Sequence, residues 1–539
     1  MSDAANVAFF AQVAFFFGRT TRDVRGFGPF GTVLRARQQD RGSGTAVDIL
    51  LINPPWQTRD GNIWHGVKST SPPLGLLYVA AYAERQGCKV RVLDVNAERM
   101  KFEDVEDAVA HMRPRWVGFT AVTAQITSTC AIAAMIKRVC PEAKIVVGGV
   151  HATALPDVVL QDPNIDYVIR GEGEIPFYEL VSGRPLDEVG GLSYRSGNPL
   201  QPIAHNPERP PIEDLDSLPT PAYHLVPFEA YRPAVGAYKR LPAVNMTMTR
   251  GCPGKCTFCN SAETALRTRS AEHMVAEIEE LQRRYGIREV SFYDDTFTIF
   301  KQNVARFCDL IVERGIDLTW SCFARTDCVS PSLLRKMKAA GCHQILFGLE
   351  SADPDILRNI RKPIDIELTK KAVRMVQEAG IAVRAAFMFG NPGETVESLW
   401  RTIRFALELD PDLAVFNITT PYPGTQMFDW ALKNGYLRTL DWSEYDLANS
   451  VMELPTISTE EIHRMYRIAY RRFYFRPRYL LRRLRTLRSW NEIKMNLQAL
   501  RSILFVRSTA PPRPRAVRAD TPASDGAAAM PAGLEVCTP

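Results

Sequence analysis

The 539-residue sequence has no apolar run of the roughly 20 residues that a helix needs to cross a bilayer. Its apolar start, within a predicted N-terminal extension (residues 1–46), has no basic leading segment and no small-residue cleavage site. We therefore do not expect a signal peptide. A surface-seeking helix and an over-long gene start both remain open for this segment.

Cysteine is also scarce, with eleven residues that are odd in number and scattered along the chain. This usage argues against a disulfide scaffold and indicates a reducing, cytoplasmic compartment. In such a compartment cysteine acts as a metal ligand, a nucleophile or a small core residue.

Acidic residues are absent from 464–488, which contains ten arginines among Tyr, Phe and Leu. The net charge of +6 is therefore local, and the rest of the chain is net negative. Such a stretch can lie on an anionic membrane or bind nucleic acid. We favour a helix pair that packs its aromatic rings on the body and leaves the arginines in water. We expect no nucleic-acid partner, and peripheral membrane contact through 464–488 is a hypothesis.

Residues 47–182 alternate apolar strand signals with helical stretches. The five runs are DILLIN (48–53), VRVLDV (90–95), WVGFTAV (116–122), KIVVGG (144–149) and YVIRGEG (167–173). They predict a doubly wound, Rossmann- or flavodoxin-like parallel sheet, which binds ligands at the carboxyl ends of its strands. Residues 183–242 contain eleven prolines and predict an extended connector.

A second alternation covers residues 243–455. Its six strand signals lie at 243–249, 289–295, 318–324, 343–350, 383–390 and 413–420. Six βα units predict an open (β/α)6 barrel with its active site at the strand ends. The chain is thus predicted to be an α/β protein, with a basic helical C-terminal region (456–507) and a disordered tail (508–539).

The stretch RGCPGKCTFCN (250–260) follows the first barrel strand and spaces Cys252, Cys256 and Cys259 as C-x3-C-x2-C. Compact thiolates suit an iron–sulfur cluster, although four ligands are usual. A zinc site would need a fourth ligand nearby. The next histidine, His273, lies in a predicted helix, and no second C-x2-C motif occurs.

This motif, with Phe258 before its last cysteine, resembles that of the radical S-adenosylmethionine (SAM) superfamily. The resemblance implies that the three cysteines bind three irons of a [4Fe–4S] cluster, through which they serve catalysis. The amino and carboxylate groups of SAM would chelate the fourth iron. The open position is then the site where SAM is activated.

Polar residues after the other barrel strands fit the same resemblance. The acids of FYDDTF imply contact with the SAM amino group, those of FGLES contact with its ribose, and GNPGET resembles a further SAM-binding element. Arg325, after strand three, could pair with the SAM carboxylate, because a guanidinium can donate two parallel hydrogen bonds to a carboxylate. The residues implied to bind SAM are Phe258, Asp294, Asp295, Arg325, Glu350, Ser351, Gly390 and Glu394.

Segments in the N-terminal half, such as SPPLGLLYVAAYAERQG, GGVHATALPD and RGEGE, are similar to those of cobalamin (B12)-binding-domain-containing radical SAM enzymes. The resemblance runs from about residue 48 to 480. The residues implied to bind cobalamin are Pro73, Leu74, Gly75, Thr123, Gln125, Gly148, Gly149, His151 and Glu172.

The chain departs from other B12 proteins in lacking the D-x-H-x-x-G motif that supplies a histidine to cobalt. We therefore expect cobalamin without a histidine ligand, its lower face covered by a loop such as Trp56 to Leu74. His151 then either contacts the corrin or nucleotide tail, or caps the helix after strand four.

The resemblance implies a C-methyltransferase that uses a 5′-deoxyadenosyl radical and methylcobalamin on an unactivated carbon of a lipid or natural-product intermediate. A flavodoxin or ferredoxin would supply the electron. The alternatives are a B12-dependent radical SAM cyclase or rearrangement enzyme, and a non-catalytic cobalamin and iron–sulfur binding protein.

Overall fold

The computed structural model describes residues 47–56, 69–234, 236–486 and 500. The predicted N-terminal extension, most of the loop between Trp56 and Leu74, and the predicted tail therefore lie outside the described residues. Below, elements are numbered in chain order within the described part of the chain.

The first sheet has seven strands in the order β2-β1-β3-β4-β5-β6-β7, of which the first five are parallel. Its strands are β1 (Ile49–Asn53), β2 (Val90–Asp94), β3 (Trp116–Thr120), β4 (Lys144–Gly148), β5 (Tyr167–Ile169), β6 (Leu192–Asn198) and β7 (Gln201–His205). The connecting helices are α1 (Leu74–Arg85), α2 (Phe102–Met112), α3 (Ile126–Val139), α4 (Val150–Ala154), α5 (Pro156–Val159) and α6 (Glu174–Val181). The strand order reverses between β1 and β3, which confirms the predicted doubly wound fold.

The second sheet has six parallel strands in the sequential order β8-β11-β12-β13-β14-β15. Its strands are β8 (Ala243–Met246), β11 (Glu289–Phe292), β12 (Thr319–Ala324), β13 (Cys342–Glu350), β14 (Ala382–Phe389) and β15 (Leu413–Ile418). A two-stranded ladder pairs β9 (Thr249–Arg250) with β10 (Arg267–Thr268). The predicted partial barrel of six strands is confirmed.

Helices cover the outer side of the barrel. They are α7 (Ala271–Tyr285), α8 (Lys301–Glu313), α9 (Pro331–Ala339), α10 (Pro354–Asn359), α11 (Ile366–Glu378), α12 (Val396–Leu409), α13 (Gln426–Lys433), α14 (Thr459–Tyr474) and α15 (Pro477–Thr486). Side-chain caps begin several of them: the Ser270 hydroxyl accepts from the His273 N–H at α7. No described helix is long and apolar enough to span a membrane.

The prediction of a connector over 183–242 is wrong for its first part. Residues in β6 and β7 form an antiparallel hairpin that extends the first sheet beyond β5. Strand β6 has the sequence LSYRSGN. The six residues after Leu192 are polar, aromatic or glycine, so no apolar run indicated a strand here. Most of the hairpin is exposed, and within β6 only Leu192 and Ser193 are buried, so the strand carries little apolar sequence.

Strand β14 shows how the barrel divides its side chains between two faces. Phe387 stacks on Phe416 of β15, and Phe416 contacts Tyr470 of α14, so this set faces the helices. Successive side chains on a strand point to opposite faces. The alternate set, Arg384, Ala386 and Met388, therefore faces the lumen, and these residues are only partly buried.

Helix α14 covers the open edge of the barrel at β15. The Tyr470 hydroxyl accepts from the Phe416 N–H at 3.2 Å and donates to the Phe416 carbonyl at 3.0 Å. The Tyr474 hydroxyl makes the same pair of bonds to Ala414. The aromatic residues of the basic stretch thus pack on the body, as favoured from the sequence, in the part of 464–488 that is described.

Candidate active site

The three motif cysteines lie on a loop fixed at both ends. The β9–β10 ladder pairs Arg250 with Arg267, and inside it the Cys252 N–H donates to the Thr264 hydroxyl at 3.0 Å. Gly251 has a φ of +89°, and a Cβ there would overlap the Ala265 carbonyl oxygen. Only glycine fits this turn, which places the cysteines at the carboxyl end of β8.

The thiols of this loop are close to one another and unpaired as disulfides. A Cβ on Gly254 would lie 3.3 Å from Cys252 Sγ and 3.9 Å from Cys256 Sγ. Burial raises the pKa of Cys259, and the other two thiols act on it. Within the described ranges, no group of three or more Cys, His, Asp or Glu is placed to hold a single metal ion. Three thiols without a fourth ligand fit a cluster with one open iron.

Asp294 anchors the strand that leads into the loop. Its Oδ1 accepts from the Met248 N–H at 3.0 Å and from the Thr249 N–H and hydroxyl, the last at 2.7 Å. Burial raises the pKa of Asp294 to about 7. Its Oδ2 is buried without a hydrogen-bond partner in the described protein. Neighbouring Asp295 is exposed and acts on Cys259.

Glu350 and Lys362 form an ion pair beside the cysteines. Lys362 Nζ donates to Glu350 Oε1 at 2.6 Å and lies 5.8 Å from the centre of the Phe258 ring. Burial lowers the pKa of Lys362, but Glu350 and Cys256 outweigh it and the net pKa is raised. A Cβ on Gly348 would lie 2.6 Å from Glu350 Oε1, so this glycine makes the room for the pair.

Lys362 was missed from the sequence, since a lone lysine twelve residues after Glu350 carries no motif. Arg325, which was predicted, lies beside the loop, 3.8 Å from the Cβ position of Gly254. Its guanidinium is engaged by Asp327, which accepts two hydrogen bonds at 3.0 and 2.8 Å. That hydrogen bonding raises the pKa of Arg325.

Two predicted SAM residues have structural partners instead of facing the loop. Ser351 is fully buried, and its hydroxyl lies 3.2 Å from that of Thr402 in α12. Glu394 is also fully buried, and its Oε2 accepts from the N–H groups of Gly390 and Asn391 at 3.0 Å. Burial raises the pKa of Glu394 to about 7. This carboxyl holds the turn after β14, where Gly390 has a φ of +88°.

A cavity of about 420 Å³ opens between the two sheets. Of the nine residues predicted to bind cobalamin, five line it: Leu74, Gly75, Gly148, Gly149 and Glu172. The barrel contributes Asn245, Thr247, Arg250 and Tyr293 to the same wall. Pro73, Thr123, Gln125 and His151 do not line this cavity.

Glycines give the cavity its shape. A Cβ on Gly149, where φ is +94°, would lie 2.8 Å from the backbone N and O of Ala121. A Cβ on Gly118 in mid-strand β3 would lie 2.6 Å from Leu51 Cδ2. Such a cradle of backbone and small residues fits a flat, bulky group that needs close backbone approach.

The predicted residues outside the cavity hold the carboxyl ends of the first sheet together. Gln125 donates to the Pro54 carbonyl at 2.7 Å, beyond β1. His151 is buried, with Nδ1 3.2 Å from the Thr123 hydroxyl and its ring 5.1 Å from that of Trp442. Burial lowers the pKa of His151 to about 3, so the ring is neutral.

Arg250 joins the cavity to the cysteine loop. It lines the cavity and directly precedes Gly251, while its guanidinium pairs with Glu172 at 3.0 Å and Glu174 at 2.7 Å. Burial raises the pKa of Glu172, but the Ile212 N–H and Arg250 outweigh it and the net pKa is lowered. Arg250 directly precedes the cysteine motif in the sequence. Its partners Glu172 and Glu174 lie 78 and 76 residues away, so the pairing could not be inferred from spacing.

Comparisons with known proteins agree with this division. A family model described as the radical SAM superfamily matches residues 246–406, and one described as the B12 binding domain matches residues 64–181. An uncharacterized methyltransferase of Pyrococcus horikoshii is 36% identical over 442 residues, which cover 80% of this chain and 94% of that protein. The anaerobic magnesium-protoporphyrin IX monomethyl ester cyclase of Rubrivivax gelatinosus is 28% identical over 445 residues, covering 80% of this chain and 78% of the cyclase.

A solved structure has the same fold. It is a radical SAM methyltransferase, TsrM, from Kitasatospora setae, with cobalamin and a [4Fe–4S] cluster bound. The two align with a TM-score of 0.58 at 20% identity, over 73% of this chain and 76% of the other.

Proposed function

The chain belongs to the family of radical SAM enzymes that carry a cobalamin-binding domain, and on that premise we propose that it methylates an unactivated carbon of a small molecule. One observation carries the proposal: the three-thiol loop and the glycine-lined cavity meet at a common wall. Arg250 stands in that wall and begins the loop. Groups held by the two sheets would therefore face the same space.

The residues present fit the groups that the family uses. Cys252, Cys256 and Cys259 would hold the cluster, and the backbone around Gly148 and Gly149 would hold cobalamin. When bound, the cluster and SAM supply an organic radical and cobalamin supplies a methyl group.

The chain's own side chains would position SAM beside the thiols. Glu350 presents a carboxylate for hydroxyl groups, and Lys362 presents an ammonium group beside Cys256. Burial raises the pKa of Cys256, and Lys362 opposes that rise without outweighing it. Asp294 fixes the loop base through Met248 and Thr249, and its second oxygen is available to a donor. The geometry assigns Lys362 a role that spacing did not.

The description of the Pyrococcus horikoshii relative as a methyltransferase supports methyl transfer. The cyclase relative, at similar coverage, supports a second candidate: a cyclisation or rearrangement without methyl transfer. Both functions use the same loop and cavity, and they differ in whether S-adenosylhomocysteine is formed.

Anaerobic reconstitution with iron, sulfide and hydroxocobalamin, then reduction by dithionite with SAM, tests the proposal. Formation of 5′-deoxyadenosine and S-adenosylhomocysteine, with about one corrin per chain, is the expected result. 5′-Deoxyadenosine without S-adenosylhomocysteine would favour the second candidate. If neither nucleoside is formed, the protein would be a non-catalytic cobalamin and iron–sulfur binding protein. Replacing dithionite by flavodoxin or ferredoxin tests the proposed electron donor.

If the substrate is a lipid, we propose that the basic stretch 464–488 contacts the membrane surface. Arg471 and Arg472 of α14 are exposed, as is Arg478 of α15, while the rings between them pack inward. In a flotation assay with anionic liposomes, less protein should rise with the vesicles when arginines in 471–485 are changed to Glu. Equal flotation of both proteins would contradict membrane contact.

A further inference from the structure

In the part of the chain that the structure describes, the barrel lumen contains an arginine with no acidic partner. Arg384 lies on the lumen face of β14, and its Nε is buried without a hydrogen-bond partner in the described protein. Within the described ranges, no ion pair or hydrogen bond joins its guanidinium to any other group. Burial lowers the pKa of Arg384, and the titratable groups that act on it are the hydroxyls of Tyr474, Tyr293 and Tyr470.

Arg250 and Arg269 are paired with acids, whereas buried Arg438 donates to the Ser450 carbonyl and has no ion pair within the described residues. Arg269 binds Glu277 at 2.5 Å, and both side chains are almost fully buried. Arg250 binds Glu172 and Glu174. Removing a guanidinium from water costs several kcal/mol unless a counter-charge and hydrogen bonds replace the water. Among these four arginines, Arg384 alone has neither an acid nor a hydrogen-bond acceptor within the described residues.

The register of the strands defines what surrounds Arg384. It pairs with Leu346 of β13 and Leu413 of β15, and Leu346 pairs in turn with Phe323 of β12. The Phe323 ring stacks on Tyr293 at 5.5 Å. The Arg384 cation therefore lies in a layer of four apolar or aromatic side chains, which strengthens its interaction with any anion that enters. The guanidinium of Arg483 lies near Leu413 of the same layer.

The lumen face of β14 continues from this layer towards the Glu350–Lys362 pair. The next lumen-facing residue of β14 is Ala386, about 6.6 Å further along the strand. It pairs with Gly348, which lies under the ion pair. The lumen face thus leads from Arg384 to the Glu350–Lys362 pair, which occupies the space above Gly348 and lies where SAM is proposed to bind.

Tyr293 connects this layer with the cavity. It lines the cavity on one side, and its hydroxyl lies 3.3 Å from that of Ser71, just before α1. An anionic group at Arg384 would thus have the cysteine loop above it and the cavity beside it.

We infer that Arg384 anchors an oxyanion, a carboxylate or a phosphate-type group, of the molecule that is methylated. That the bound molecule is methylated rests on the proposed function. That it carries an anion rests on the geometry of the lumen. It assigns the substrate a negative charge a few bonds from the reacting carbon.

Thermal unfolding of the reconstituted protein, followed anaerobically, tests the anchor without turnover. Sodium methylphosphonate, sodium phosphate or sodium acetate is compared with sodium chloride at equal ionic strength. At least one oxyanion should raise the melting temperature of the wild type. Arg384→Met should lose the oxyanion-dependent rise, because it removes the guanidinium that would bind the anion. Arg384→Lys should keep a smaller rise.

Arg269→Met is the matched control, because it also removes a buried arginine but leaves Glu277 without its partner. It should melt lower than the wild type and keep the oxyanion-dependent rise. No rise with any oxyanion in the wild type, or an equal rise in Arg384→Met, would overturn the inference. Which anion is effective distinguishes a carboxylate from a phosphate-type substrate.

Two further measurements separate the substrate from the other anions of the site. A fall in SAM affinity of Arg384→Met would assign the guanidinium to the SAM carboxylate, and a fall in corrin content would assign it to the cobalamin phosphate. Either result would overturn the inference. A wild type that forms both nucleosides but shows no oxyanion-dependent rise refutes the anchor alone, while the opposite pattern refutes the proposed function alone.

Discussion

The two sheets of the protein present opposite kinds of surface to the space between them. The first sheet offers glycines and backbone, at Gly118, Gly148 and Gly149, where a Cβ would collide with neighbouring atoms or narrow the cavity. The second sheet offers thiols, carboxylates and cations on loops after its strands. On the proposed function, the glycines of the first sheet would accommodate cobalamin, and the side chains of the second would bind the cluster and SAM. Glu172 and Glu174 are the charged residues that the first sheet adds to the cavity wall.

This difference determines how each side fails when it is altered. A surface made of backbone tolerates no added atoms, whereas a surface made of side chains tolerates no lost ones. Variants that damage one side and leave the other intact therefore test whether the two functions are separable.

The largest effect is expected on the side-chain surface. Replacing Cys252, Cys256 or Cys259 with Ala removes a cluster ligand, so the cluster absorbance and SAM cleavage should both be abolished. Corrin binding should remain near one per chain. Cys88→Ala, at a half-buried cysteine between α1 and β2, is the control. Full activity in any motif variant would show that the ligand set is wrong.

A smaller effect is expected on the backbone surface, where a variant should lose cobalamin and keep the cluster. Gly149→Ala places a methyl group 2.8 Å from the Ala121 backbone, so corrin content should fall while cluster absorbance remains. Gly183→Ala is the control, because its φ of +88° imposes a similar strain of about 1–2 kcal/mol but no atom lies within 4 Å of the new methyl group. Equal corrin loss in both variants would attribute the effect to strain alone.

The smallest effect concerns the turn after β14, where a buried carboxyl shapes the side-chain surface. The pKa of Glu394 is about 7 in the folded protein and 4.5 in its ordinary range, so the folded state binds the extra proton between these values. Stability from this group is present at low pH and is lost as pH rises through about 7.

Glu394→Gln keeps the accepting oxygen and removes that titration. Its free energy of unfolding, measured in urea across pH 4 to 8, should exceed that of the wild type increasingly as pH rises, by at most about 3 kcal/mol. A constant difference between the two proteins would show that Glu394 does not titrate in this range.

Much of the fold followed from the sequence because buried parallel strands are continuous apolar runs. All five predicted strands of the first sheet and all six of the barrel are present. The hairpin of β6 and β7 was missed because an edge strand needs little apolar sequence. The cysteines were found because their chemistry lies within eight residues, from Cys252 to Cys259.

Residues whose roles depend on register across strands were not found. Arg384 is one arginine among many until its neighbours Leu346 and Leu413 are known. Lys362 required the position of Gly348, and Arg250 required Glu172 and Glu174. For His151 the sequence left open a cofactor contact or a helix cap, and the structure places its ring against Thr123 and Trp442, outside the cavity lining.

The tyrosine cover on β15 also bears on how the protein is made. An open barrel ends in a strand with free N–H and carbonyl groups, which can template pairing with another chain. Here Tyr470 and Tyr474 occupy those groups, but they lie more than 50 residues after the strand they protect. During synthesis the six strands emerge first, at about 5–20 residues per second. The nascent barrel thus carries an uncovered edge for a few seconds, until α14 leaves the ribosome.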